Sequence, residues 1–146
     1  MISYKTLTES DRTPDIQKNE IADFLVFHLE KFGDPKQDIL KCLDYSIGDS
    51  QAPGGFVVLA LEDEKILGVV VMNKTGMSGY IPENILVYIA VDASQRGKGI
   101  GGQLMERAVK MANGGIALHV EPDNPARKLY ERLGFTNKYL EMRLTK

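Results

Sequence analysis

The spacing of hydrophobic positions predicts two helices near the start of the chain. Residues 2–8 predict a short opening strand. Within residues 16–32, mainly apolar side chains recur at helical spacing. These positions are Ile21, Phe24, Leu25, His28, Leu29 and Phe32. Gly33 ends that helix. A second helix begins at Pro35 and ends at Gly48, and its apolar face is formed by Ile39, Leu40, Leu43 and Ile47.

The middle of the chain predicts strands. After a loop at residues 50–55, two β-branched, apolar runs at residues 56–62 and 65–73 flank Asp63-Glu64, which is typical of a β-hairpin. Small residues at 75–79 predict a mobile loop. Residues 84–91 then predict a strand that is buried on both faces.

The last third predicts a helix at residues 100–111, a strand at 116–120, a helix at 125–133 and a final strand at 135–144. Strands 84–91 and 116–120 are joined by a helical crossover and must therefore run parallel. In open sheets of this kind, ligands bind beyond the carboxyl ends of the strands. We find no repeat and no shift in composition, so we expect one α/β domain over residues 1–146.

Composition and charge exclude several classes of protein. The chain is 43% hydrophobic and 26% charged, and its net charge of −2 argues against a general nucleic-acid binder. Cys42 is the only cysteine, so we expect neither a disulfide framework nor a metal site. The sequence shows no secretory leader and no apolar run that could cross a membrane. We expect a cytoplasmic protein.

The segment from Val91 to Gly102 predicts a phosphate site, because an apolar strand leads through a glycine-rich turn directly into a helix. Glycine lets the backbone approach an anion closely, and the helix start directs unpaired N–H groups to the same place. Arg96 and Lys98 add positive charge at the rim. The alternative is a plain tight turn that only joins the strand to the helix.

The same glycines also match the dinucleotide pattern G-x-G-x-x-G, from Gly97 to Gly102, with Glu121 near the place of a ribose-binding acid. That pattern needs its first glycine at the strand end, whereas Asp92 and the residues up to Arg96 lie between. The chain that follows Gly102 is also short for a dinucleotide fold. A P-loop is excluded, since no G-K-[ST] follows the glycines.

A second motif narrows the choice. The run Arg96-Gly97-Lys98-Gly99-Ile100-Gly101 matches [R/Q]-x-x-G-x-[G/A], and the run from Asn124 to Phe135 lies about where a companion motif is expected. With both motifs the chain resembles the GNAT superfamily of acyl-CoA-dependent N-acyltransferases. The resemblance implies a mixed central sheet of about six to seven strands, with splayed parallel central strands and about four flanking helices.

The resemblance also implies how acetyl-CoA is held. The backbone amides that would bind the diphosphate are those of Arg96, Gly97, Lys98, Gly99, Ile100, Gly101 and Gly102. The strand edge through Ile89, Ala90 and Val91 would pair with the pantetheine arm in the manner of an added strand. Asp123 or Asn124 would contact pantetheine as well, unless one of them only caps the following helix.

Acyl transfer to an amine also needs a proton donor and a proton acceptor. By resemblance, Tyr130 would donate a proton to the departing sulfur; the alternative is an amphipathic tyrosine packed in the core. Glu83, before the strand, and His119, on the next strand, are the two candidates for the base. Either can equally be a surface or packed side chain, with a water chain acting instead.

These observations predict an N-acetyltransferase that moves an acetyl group from acetyl-CoA directly to a primary amine of a small molecule or polypeptide. A non-catalytic acyl-CoA-binding or sensing module is the first alternative, and an NAD(P)-dependent oxidoreductase is the second. No nucleic-acid or membrane partner is expected. The acceptor stays open, and the chain is a monomer or a homodimer.

Overall fold

The computed structural model describes residues 1–146. Its strands are β1 (Ser3–Leu7), β2 (Gly55–Glu62), β3 (Lys65–Lys74), β4 (Asn84–Val91) and β5 (Ile116–Leu118). Its α-helices are α1 (Asp15–Leu29), α2 (Lys36–Ile47), α3 (Ile100–Met111) and α4 (Ala126–Arg132). None of these helices combines the length and the apolar character that a membrane-crossing segment needs. The mixed α/β class and the four helices agree with the prediction.

The strands form one sheet in the order β1-β2-β3-β4-β5. Neighbouring strands are antiparallel from β1 to β4, and β4 and β5 are parallel. The β2–β3 connection is the predicted hairpin, in which Asp63 and Glu64 have φ of 50° and 66°. Two successive positive φ values give the turn the twist that a two-residue hairpin requires.

Helices cover both faces of the sheet, because alternate residues of each strand point to opposite sides. Helices α1 and α2 pack on one face, which we call the α1/α2 face, around Val57, Leu59, Val69 and Val71. Helix α3 and Tyr130 of α4 pack on the other, the α3/α4 face, around Val58, Ala60, Val70 and Met72. Two apolar cores explain why β2 and β3 are almost continuously hydrophobic.

Strand β4 departs from the predicted burial on both faces. Its residues alternate between buried and half-buried, and Ile85, Val87, Ile89 and Val91 are the half-buried ones. The predicted burial on both faces therefore holds for only one set of β4 side chains.

Helix α3 packs unusually close to the sheet at Gly68 of β3. A Cβ at this position would lie 2.8 Å from Leu104 Cδ1 and 3.2 Å from Ile100 Cγ2. Atoms are rarely closer than ordinary van der Waals contact, so a side chain at this position would require Leu104 to shift. The close approach holds the start of α3 against the end of β4.

The predicted strand at residues 135–144 is wrong. The segment forms no strand, and Tyr139, Leu140, Met142 and Leu144 are exposed by 79%, 84%, 90% and 83%. A strand needs a partner along its length, and β5 offers an edge of only 3 residues. The sheet therefore has five strands, and the parallel pair lies at its edge rather than at its centre.

Candidate active site

A gap opens beside β4 because β5 pairs with only its first part. The paired residues are Asn84 with Ile116, Ile85 with Ala117, and Leu86 with Leu118. From Val87 to Val91, the edge of β4 that faces away from β3 has no strand partner. Such an edge presents backbone N–H and C=O groups to whatever enters the gap.

The free edge begins at a β-bulge. Val71 pairs with Tyr88 and Met72 pairs with Leu86, so Val87 is an extra residue on β4. The side chains of Val87 and Tyr88 both reach the α1/α2 face, which is the expected effect of one inserted residue. The sequence carries no local sign of this bulge, because its residues are ordinary strand formers.

The glycine-rich loop lies at the carboxyl end of β4 and leaves its backbone donors free. None of the N–H groups from Arg96 to Gly102 donates a hydrogen bond within the protein, and the first such bond of α3 joins Gln103 N to Gly99 O at 3.1 Å. Gly97 and Gly99 have φ of +81° and +83°, and a Cβ at either would point into open space. The loop is therefore an open concave set of donors, which suits an anion.

Arg96 and Lys98 use their side chains within the protein. The Arg96 guanidinium donates to the His28 carbonyl at 2.9 Å and to the Val91 carbonyl at 3.3 Å. The Lys98 ammonium donates to the Gln95 side chain at 3.1 Å. The Arg96 side chain thus braces the loop against α1. The predicted ligand contacts would then be made by the free backbone N–H groups.

His28 completes this brace. Its Nδ1 accepts a hydrogen bond from the Ala93 N–H at 3.2 Å, and its Nε2 lies 3.9 Å from Asp92 Oδ2. Burial lowers the pKa of His28 below its ordinary value, which favours the neutral ring that can accept this bond. Asp92 in turn accepts bonds from the Ser94 N–H at 2.9 Å and the Ser94 hydroxyl at 2.8 Å.

The backbone groups at the predicted pantetheine position alternate between the gap and β3. The Val91 carbonyl is bonded by Arg96 rather than by β3, whereas the next N–H, of Asp92, donates to Leu67 of β3 at 2.8 Å. Backbone groups alternate in direction along a strand, so those of Ile89 and Val91 face the gap and those of Ala90 face β3.

Tyr130 lies on α4 and packs on the α3/α4 face of the sheet. It is 7% exposed, and its ring lies 5.9 Å from the Phe135 ring. Burial raises the pKa of Tyr130 to about 12. Its hydroxyl has no hydrogen-bond partner in the protein and is not sealed from solvent. A protonated phenol with a free hydrogen is suited to donate a proton.

Asn124 and Asp123 have partners of their own. Asn124 Oδ1 accepts from the Ala126 N–H at 2.9 Å, which is the capping alternative for α4. Asp123 Oδ2 lies 2.9 Å from Lys31 Nζ. This ion pair lowers the pKa of Asp123 and raises that of Lys31. It joins the segment after α1 to the segment before α4.

Glu83 lies just before β4, at the end opposite the glycine-rich loop. It is four residues before the bulge residue Val87, about 13 Å along the strand at 3.3 Å per residue. Its carboxylate accepts from the Gly115 N–H at 2.7 Å and the Gly79 N–H at 3.3 Å. The Gly115 bond holds the pKa of Glu83 below its ordinary value. These contacts describe a residue that fixes the turn before β5.

His119 lies where β4 and β5 part. It follows Leu118, which pairs with Leu86, so its backbone stands beside the bulge at Val87. Leu118 belongs to the α3/α4 face, and His119 therefore points toward the α1/α2 face. The side chain is 58% exposed, and its Nδ1 lies 3.9 Å from Glu141 Oε1.

The structure adds a pair that the sequence pattern did not reveal. The Tyr88 hydroxyl donates to Asp34 Oδ2 at 2.5 Å, although the two residues are 54 positions apart. Burial, and then the bond to Asp34, raises the pKa of Tyr88. In the sequence Tyr88 is one more apolar position of a strand, and Asp34 is one of two acids in the linker between α1 and α2.

Comparisons with known proteins agree with this arrangement. Residues 53–137, more than half of the chain, match the family model described as an acetyltransferase (GNAT) domain. No curated protein sequence matches the chain.

Solved structures share the fold over almost the whole length. A GNAT-family acetyltransferase from Streptococcus pneumoniae has 18% identity and a TM-score of 0.69, covering 100% of this chain and 98% of that one. An aminoglycoside acetyltransferase from an uncultured soil sample has 18% identity and a TM-score of 0.66, with coverage of 100% and 99%. A ribosomal-protein-alanine N-acetyltransferase from Brucella melitensis has 19% identity and a TM-score of 0.65, with the same coverage.

The family match, the splayed parallel strands and the free N–H groups of the glycine loop lead to one assignment. The chain belongs to the GNAT superfamily and is an acyltransferase.

Proposed function

We propose that this acyltransferase moves an acetyl group from acetyl-CoA directly to a primary amine of a small molecule or a polypeptide. The observation that carries the proposal is that the glycine loop and the free edge of β4 adjoin each other. The free N–H groups from Arg96 to Gly102 lie at one end of the free β4 edge, and the bulge at Val87 lies at the other. An acyl-CoA has the matching order of diphosphate, amide-bearing arm and thioester.

The residues present fit that ligand. The space above Gly97 and Gly99 is open where a side chain would fill it, and Ile89 and Val91 turn their backbone groups to the gap. Pantetheine amides can pair with such groups as a strand does. The fit favours an acyl-CoA; acetyl, the smallest common acyl group, is part of the proposal.

The substrate supplies an activated acyl group as a thioester, and the chain's side chains handle the protons. His119, on the α1/α2 side of the bulge, takes the proton that the attacking amine loses. Tyr130, on the α3/α4 side, gives a proton to the departing sulfur. Backbone N–H groups at the bulge stabilise the negative charge on the carbonyl oxygen.

A base or desolvation is needed because the acceptor is mostly charged. An amine with a pKa of about 10.4 is neutral in only about one molecule in a thousand near pH 7.4, a deficit of roughly 4 kcal/mol. The proposed base, His119, lies on the side of the gap opposite the proposed acid, Tyr130. This separation lets attack and departure occur on opposite sides of the thioester.

The similar solved structures are not all named for the same acceptor. One is named as an aminoglycoside acetyltransferase and another as a ribosomal-protein-alanine N-acetyltransferase. We therefore leave the choice between small molecule and polypeptide to experiment. A cytoplasmic setting and a monomeric or homodimeric state are part of the proposal.

Two alternatives make different predictions. The oxidoreductase is disfavoured by the topology, since only β4 and β5 are parallel and a doubly wound dinucleotide fold is built on parallel strands. A non-catalytic sensor would keep the glycine loop without needing the free Tyr130 hydroxyl.

The test combines binding and turnover. Coenzyme A at a hundred times its Kd should stabilise the protein by about 2.7 kcal/mol, and NADH should not. Thiol release from acetyl-CoA is then measured with polyamines, amino acids, aminoglycosides and peptides, with mass spectrometry of the products. Tyr130→Phe should lower turnover about ten- to a thousandfold and leave the coenzyme A shift unchanged.

Tyr4→Phe is the matched control, because Tyr4 lies on β1, at the edge of the sheet opposite β5. It should turn over at the wild-type rate. Coenzyme A binding without thiol release for any amine would support the sensor instead. Stabilisation by NADH alone would refute the assignment of the ligand.

A further inference from the structure

The Tyr88–Asp34 pair places a carboxylate at a fixed point beside the gap. Asp34 is exposed and lies in the linker between α1 and α2, whereas Tyr88 is 8% exposed and packed in the core under those helices. The hydroxyl of the buried ring holds Asp34 Oδ2 at 2.5 Å. A surface linker residue is thus tied to the buried core of the α1/α2 face.

This carboxylate has no cation of its own. The two neighbouring lysines are paired elsewhere, Lys31 with Asp123 and Lys36 with Asp23, each at 2.9 Å. Asp34 forms no ion pair, and its only side-chain hydrogen bond is the one from Tyr88. One oxygen atom therefore stays free to bind a positive group from outside the protein.

Asp34 stands on the route by which an acceptor reaches the thioester. Tyr88 directly follows the bulge residue Val87, and both side chains point to the α1/α2 face. The Lys31–Asp123 pair joins the same linker to the segment that follows β5. Asp34 thus borders the side opposite Tyr130, where the proposed function puts the amine.

The distance from β4 decides which charge Asp34 could bind. The whole length of a tyrosine side chain plus a hydrogen bond lies between the β4 backbone and the carboxylate. That is too far for the nitrogen that attacks a thioester held at β4. A carboxylate that held the reacting nitrogen as an ammonium would also oppose its attack.

We propose that Asp34, held in place by Tyr88, binds a second positive charge of the acceptor, so that the preferred acceptors are amines of the diamine type. This inference rests on the proposed function, because it needs the acceptor to approach β4. Asp34 acts as a specificity-determining residue: it selects the amine by a charge distant from the reacting nitrogen, and Tyr88 is its positioning residue.

The test compares 1,5-diaminopentane with pentylamine, which has the same carbon chain but a single charge. Binding of each amine is measured by calorimetry with and without saturating coenzyme A, and kcat/KM is measured with acetyl-CoA. The wild type should prefer the diamine by about two- to fivefold, the usual range for an ion pair at an exposed carboxylate. Asp34→Asn should abolish most of that preference by raising KM for the diamine and leaving kcat within about twofold.

Two further variants separate the charge from its placement. Tyr88→Phe keeps the ring and the carboxylate but frees the linker, so it should lose part of the preference. Asp38→Asn removes an exposed carboxylate that is one helical turn away and has no hydrogen bond or ion pair through its side chain. It should keep the wild-type preference.

The outcomes distinguish this inference from the proposed function. If the wild type has equal kcat/KM for the two amines, the role of Asp34 is overturned even if turnover is high. An equal loss of diamine preference in Asp34→Asn and Asp38→Asn would overturn it as well. Failure of coenzyme A to bind would refute the proposed function. Diamine selectivity in calorimetry without coenzyme A would support the Asp34 site independently.

Discussion

At the residue scale, the two candidate bases differ in their surroundings. Glu83 and His119 are equivalent candidates in the sequence, since each lies on or before a strand of the parallel pair. The fold separates them. Glu83 is bound by the N–H of Gly115 at the start of β4, and His119 stands at the bulge where the strands part.

We therefore expect His119→Gln to remove the acidic limb of the kcat/KM profile, because that limb reports loss of the neutral base in the free enzyme. Glu83→Gln is the control. It should keep the limb and only lower the melting temperature, since it weakens a carboxylate bond to the Gly115 N–H. The profiles are measured with the best acceptor from the screen. An unchanged limb in His119→Gln would point to a water chain.

The sequence predicted the roles of other residues only in part. Asn124 was expected either to cap α4 or to contact the ligand, and the capping bond is present. Arg96 is recognisable as part of a motif, but its bonds to His28 and Val91 depend on the end of α1 lying beside the loop. A contact between residues 68 positions apart leaves no trace in local sequence.

At the element scale, the strand–loop–helix unit from β4 to α3 is the best predicted part of the chain. Its bounds follow from an apolar run, a glycine cluster and a helical repeat, all of which are local signals. The final strand was wrongly predicted from an equally local pattern. A strand forms only with a partner edge, and the presence of that edge is not a local property.

The glycine loop gives a prediction at this scale. Gly99→Ala should destabilise the protein by about 1–2 kcal/mol, because an L residue is strained at its φ of +83°. Coenzyme A binding should weaken about tenfold if a similar strain of about 1.4 kcal/mol must be restored on binding. Urea unfolding and calorimetry measure the two effects.

Gly102→Ala is the matched control within the same unit. Gly102 lies inside α3, its φ is not positive, and a Cβ there meets nothing within 4 Å. Alanine should raise stability by up to about 1 kcal/mol through helix propensity. Equal destabilisation by the two substitutions would show that φ is not the controlling factor.

At the scale of the whole molecule, two apolar cores bury groups that ionise in alkali. Burial raises the pKa of Cys42 to about 11 and that of Tyr130 to about 12. In the unfolded chain these groups ionise near about 8.5 and 10. The unfolded state therefore loses protons first, and stability that is complete below about pH 8.5 is lost as the pH rises through the folded values.

We expect the free energy of unfolding to begin to fall near pH 8.5, with a slope of up to about 1.4 kcal/mol per pH unit for each group. Cys42→Ala should move the onset to about pH 10, and Tyr130→Phe should reduce the loss above that pH. Urea denaturation at intervals from pH 7 to 11 measures both. An onset that Cys42→Ala leaves unchanged would contradict the assignment.

The sequence by itself determined the order of helices and strands as far as α4, the glycine loop and the motif with Tyr130, because these are properties of neighbours along the chain. Only the tertiary structure decided where β5 stops, where Val87 bulges, which of Glu83 and His119 meets the gap, and that Tyr88 holds Asp34. These depend on contacts between distant segments. The glycine loop thus follows largely from local sequence, whereas the pairing of Tyr88 with Asp34 depends on packing.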